Sequence, residues 1–107
     1  MITVAEGAMT SDVTAHTARC DTGQRWRVSW LPGRDLTLYE ALVALNLAED
    51  AERSVHEPWR KHRVEDWADI LRVPPGSAVT ACGGRYNPWR GIVPEATKQA
   101  QQLSISP

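Results

Sequence analysis

The segment that most limits the fold is TLYEALVALNLAED, residues 37–50. Thr37 stands three residues before Glu40, directly ahead of an apolar run, the pattern by which a hydroxyl and a carboxylate reciprocally cap a helix N-terminus. The spacing predicts a helix over residues 38–53. Its centre, ALVALNLA, has Asn46 as its one polar residue between Ala41 and Ala48. Leu38, Ala41, Leu42, Leu45 and Ala48 form one stripe at helical spacing, and Tyr39, Val43 and Leu47 form a second on the opposing side. A helix that is apolar on two sides has to be covered twice, and a chain of 107 residues offers few layers with which to do it. The second stripe, Tyr39, Val43 and Leu47, is therefore read as a protein interface, a homodimer seam or a partner site, with Glu40 and Asp50 on its rim.

The first cover is legible just upstream. Residues 14–20 and 25–31 flank the turn-rich tetrapeptide DTGQ and read as a hairpin. In RWRVSW, alternation sends Trp26, Val28 and Trp30 to one face and Arg25, Arg27 and Ser29 to the other, as in a half-buried strand that Pro32-Gly33 then ends. Downstream, Pro58 suits the first turn of a second helix. Val64, Trp67, Ala68 and Leu71 share one of its faces, and Pro74-Pro75-Gly76 stops it. Residues 77–82 read as a short edge strand or a packed loop. The expected fold is α+β: a small two- or three-stranded antiparallel sheet packed against two helices. Residues 1–12 read as a flexible lead, 13–82 as the single domain, and 83–107 as a tail in which Pro94 could open a short helix bearing Val93, Ala96, Ala100 and Leu103 on one face.

Composition narrows the function classes. The formal net charge of −1 argues against a dedicated nucleic-acid binder, which normally presents a clearly basic face. The distribution is uneven, however. Residues 35–57 carry six acidic side chains against Arg53 alone, and Arg60, Lys61 and Arg63 follow at once. These three are the candidate phosphate contacts of an alternative reading, a small helix-turn-helix-like DNA-binding regulator. The acidic Glu65, Asp66 and Asp69 immediately after them oppose it.

No catalytic or metal motif stands out. His16, Cys20, His56, His62 and Cys82 are the possible zinc ligands, but they lack the close pairing that metal sites show, so no metal and no cofactor are expected. Cys20 and Cys82 read as free thiols. The adjacent carboxylates Glu49 with Asp50, and Glu65 with Asp66, diverge on a helix and read as solvated faces. Gly83-Gly84-Arg85 lacks the strand and the Lys-Ser/Thr pair of a phosphate loop and reads as a hinge. No apolar run approaches a membrane span, and the N-terminus lacks the features of a secretory signal, so a cytoplasmic protein is expected.

The segment WRVSWLPGRDLTLYEALVALNLAE, residues 26–49, together with Trp67-Ala68, resembles a pattern in small uncharacterised proteins of actinobacteria and their phages. There a W-x-V-S-W-L-P-G-R strand and turn leads into an apolar helix, over a span that here covers residues 25–75. Leu38 to Glu40 depart from that pattern, which is more often polar there. Arginine outnumbers lysine ten to two, and phenylalanine is absent, a bias that fits a GC-rich genome. The resemblance carries no activity to transfer. It supports the expectation of a non-enzymatic accessory or regulatory protein, phage- or prophage-derived, that acts by protein–protein binding.

Overall fold

The computed structural model describes residues 1–53, 57–84 and 87–89. Among these residues five strands come first, β1 (Ile2–Ala5), β2 (Ala8–Ser11), β3 (Ala18–Cys20), β4 (Trp26–Val28) and β5 (Leu31–Leu36). Three helices follow, α1 (Leu38–Glu52), α2 (Pro58–Leu71) and α3 (Pro75–Cys82). The strands pair only with their neighbours in sequence, all antiparallel, in the order β1-β2-β3-β4-β5.

The fold is α+β, but the expected two- or three-stranded sheet is corrected to five strands, for two local reasons. Residues 2–11, read as part of a flexible lead, form a hairpin that turns on Glu6 (φ 49°) and Gly7 (φ 73°). Two successive residues at positive φ make a tight hairpin turn, and Glu in place of Asn or Asp hides its signal. Met9 is the buried side chain of this hairpin, so alternation had little to register. The second reason lies at Pro32-Gly33. The chain turns earlier, at Ser29-Trp30, and runs on through Pro32 and Gly33 as edge strand β5. The irregular register between Trp26↔Leu36 and Val28↔Leu31 is a bulge, which accommodates Gly33 at φ 81° and a proline that donates no hydrogen bond.

The hairpin of β3 and β4 closes around Asp21, whose Oδ1 accepts from Gly23 N at 2.8 Å and Arg25 N at 3.0 Å. Trp26, Val28 and Trp30 are buried, and Arg25, Arg27 and Ser29 are exposed. The two arginines lie 3.5 and 3.3 Å from Asp35 on β5, contacts between solvated groups.

Helix α1 begins as its sequence dictates: Glu40 N donates to Thr37 Oγ1 at 3.1 Å, and Thr37 N donates to Glu40 Oε1 at 2.9 Å. It lies between two covers. The sheet packs on one side, and α2 and α3 pack on the other. Helix α2 therefore sits chiefly on α1 and α3 rather than across the sheet. Where an edge strand or loop is expected, residues 75–82 form helix α3, because the proline pair that stops α2 also places Pro75 in the first turn of the next helix. Ala78, Val79 and Cys82 are its buried face, and Gly83 at φ 78° is its cap rather than a hinge. A Cβ on Gly84 would meet Val79 Cγ1 at 2.6 Å and the Ala51 carbonyl at 3.2 Å, so the chain leaves α3 pressed against α1. The tail helix expected after Pro94 lies outside the described residues.

Candidate functional site

Helix α2 turns Val64, Ala68 and Leu71 inward, where all three are buried. Its other side carries Trp59, His62, Asp66, Asp69 and Ile70, all exposed. Trp59 and Ile70 are 53% and 37% exposed. Between them Arg63 is held on three sides. Its Nε and Nη2 donate to the two carboxylate oxygens of Asp50 at 2.7 and 2.5 Å, and its guanidinium carbon lies 4.9 Å from the ring centres of both Trp59 and Trp67. Spacing of four residues on a helix places the two indoles on either side of that cation. Arg60 contributes from the flank, 4.6 Å from the Trp59 ring and 3.7 Å, Nε to Oδ1, from Asp50. The hydrogen bonds to Asp50 push the Arg63 guanidinium still further above its ordinary range, so it is a fixed cation. Trp59 is thus an exposed aromatic backed by two positioned guanidinium groups, a rigid rather than a floppy surface.

Glu49 and Asp50 correct the expectation of a solvated pair, for both are buried at the end of α1. They point to different partners, Asp50 to α2 and Glu49 to the first hairpin. Glu49 Oε2 accepts from Ser11 Oγ at 2.5 Å and from the Met1 ammonium at 2.9 Å. Burial pushes the Glu49 carboxyl up, but the Ser11 hydroxyl, the ammonium and Arg53 outweigh it and hold the group below its ordinary 4.5. A carboxyl that is more acidic folded than unfolded contributes fully above the ordinary value, and its contribution is lost as pH falls through the lowered one. Glu49→Gln should therefore flatten the acid side of the stability profile, read as urea midpoints from neutral pH downward. An unaltered acid slope would mean that this cluster contributes nothing.

The other sequence candidates are dispersed. Of the proposed α1 interface, Val43 and Leu47 are buried within the chain, and only Tyr39 is exposed, at 62%. That interface is corrected: α2 and α3 already supply the second cover that the stripe requires. Arg60 and Arg63 are turned toward Asp50, and Lys61 Nζ lies 6.0 Å from the ring centre of Trp89. The three cations therefore do not converge on one phosphate track.

His16 bridges the sheet and α3. Its Nε2 lies 3.0 Å from the Cys82 carbonyl, which can only accept, so Nε2 carries the proton and Nδ1 receives the Ser29 hydroxyl at 2.9 Å. The order serine, histidine, acceptor is that of a hydrolytic triad. Here it also ties the β4–β5 turn to the end of α3, and Ser29 Oγ is already engaged by Thr17 N at 3.0 Å. Cys82 is buried, and burial pushes its thiol up to about 12, out of range for a nucleophile. Cys20 is partly exposed, and both cysteines are free. Cys20, Gln24, Trp26, Thr37 and Leu38 line an open groove of about 450 Å³. Among the described residues no group of three or more His, Cys, Asp or Glu side chains could hold a metal ion, and His56 lies outside them.

No protein-family model matches the chain. Neither a curated protein nor a solved structure matches it. Among the described residues no helix is long and apolar enough to cross a membrane.

Proposed function

We propose that this chain is a non-enzymatic accessory or regulatory protein that acts by binding another protein, and that its contact surface is the outer face of α2. The observation that carries the reading is the exposure of Trp59 and Ile70 on one helix face, with Trp59 braced by Arg60 and Arg63. Tryptophan and arginine are the residues most enriched at the energetic centres of protein interfaces, and a side chain fixed before binding loses little freedom on contact. The nucleic-acid alternative draws less support, since Arg63 already spends two donors on Asp50 and acidic residues share the same face. A cytoplasmic location and a phage or prophage origin belong to this reading on sequence grounds.

The test is affinity capture with the wild type and with Trp59→Ala/Ile70→Ala, each checked for an intact circular dichroism spectrum. Proteins retained by the wild type and lost from the double variant support the reading. Salt-sensitive retention on DNA that both share, with no protein lost from the variant, would favour the DNA-binding alternative.

A further inference from the structure

We infer that the outer face of α2 binds a second copy of this chain, as an antiparallel helix pair about a twofold axis. This rests on the reading of that face as the contact surface and names the occupant. The argument is the arrangement of charge and apolar bulk along the helix. On that face the first half carries His62 and the half-exposed Arg63, which is also paired with Asp50, and the second half carries Asp66 and Asp69, with Glu65 at the margin. A parallel copy would set like charges together, whereas an antiparallel copy sets each half against its opposite.

The apolar residues obey the same symmetry. Trp59 and Ile70 sit near the two ends of the face, about three turns apart on nearly the same line. With the axis midway between them, Trp59 of each copy is level with Ile70 of the other. His62 then falls beside Asp66 and Asp69 of the second copy, and Arg63 falls beside Trp67. Every one of these contacts occurs twice, which is the condition for a closed, self-complementary pair. Inward-facing Val64, Ala68 and Leu71 take no part, so the fold of each copy is complete without the other. A contact made by one helix face is small, and the pair is accordingly weak and dependent on protein concentration.

Charge exchange tests the pairing on residues whose side chains are exposed. Asp66→Lys/Asp69→Lys makes the face basic along its length, and His62→Glu makes it more acidic. Sedimentation velocity over a wide concentration range should show reversible dimers for the wild type, at least about tenfold weaker dimers for each variant alone, and recovered association when the two variants are mixed. A wild type that stays monomeric at millimolar concentration overturns the inference, as does a dimer indifferent to both substitutions. If the wild type is monomeric yet Trp59→Ala/Ile70→Ala still loses a captured protein, the second copy is excluded while the contact surface stands. If neither self-association nor capture depends on this face, both readings fall.

Discussion

Replacing Arg63 by alanine should destabilise the protein by about 3–5 kcal/mol, the range seen when removal of one member of an ion pair leaves a buried charge uncompensated. Asp50 is 1% exposed and receives both arms of Arg63, with Arg60 close by. Loss of Arg63 leaves that buried carboxylate to Arg60, whose Nε lies 3.7 Å from Asp50 Oδ1. The Trp59–Arg63–Trp67 stack loses its cation at the same time. Asp50→Ala should cost less, because the Arg63 it releases is 41% exposed and can turn to water, and Arg60 keeps Glu57 at 3.5 Å. Chemical denaturation of the two single variants and the double variant would give a cycle whose coupling belongs to the pair. A loss below about 1 kcal/mol for Arg63→Ala would show that water reaches the carboxylate and that the ion pair does not hold α2 to α1.

Trp30→Ala should have an effect of similar size, about 3–5 kcal/mol, by a different route. Trp30 is 5% exposed at the turn between β4 and β5, and its indole Nε1 donates to the Ala44 carbonyl of α1 at 3.0 Å. Truncation opens a cavity between sheet and helix that neither layer can close, in a domain with a small core. Arg27→Ala, which disturbs only a solvated contact with Asp35, serves as the control and should unfold at nearly the wild-type midpoint. A Trp30→Ala protein with an unchanged midpoint would mean that the indole is not part of the packed interior.

Features written within a few residues were legible from the chain alone. The Thr37–Glu40 cap, the DTGQ hairpin, the inward set Trp26, Val28 and Trp30, and the start of α2 at Pro58 all have short-range causes. Others depended on distance in sequence. Glu49 and Asp50 look solvated because Ser11 is 38 positions from the first and Arg63 is 13 positions from the second. The stripe Val43 and Leu47 looks open because nothing local says that Pro75 starts a helix able to help close it. The outward side of Trp59 follows from helical spacing, since at about 100° per residue it stands roughly opposite Val64, Ala68 and Leu71, but its bracing by Arg60 and Arg63 depends on the distant Asp50.

The strictly sequential order of the five strands also bears on how the chain acquires its shape. Each strand finds its partner across one short connection, so no pairing waits for a distant segment to arrive, and the entropy lost in closing each loop is small. The sheet can be assembled by successive addition, with α1 arriving directly after β5 to cover the surface just completed. Speed of this kind comes from topology rather than from the strength of any contact. It also shortens the interval in which the edge strands and the apolar faces of α1 are both exposed, when a small chain is most prone to associate wrongly.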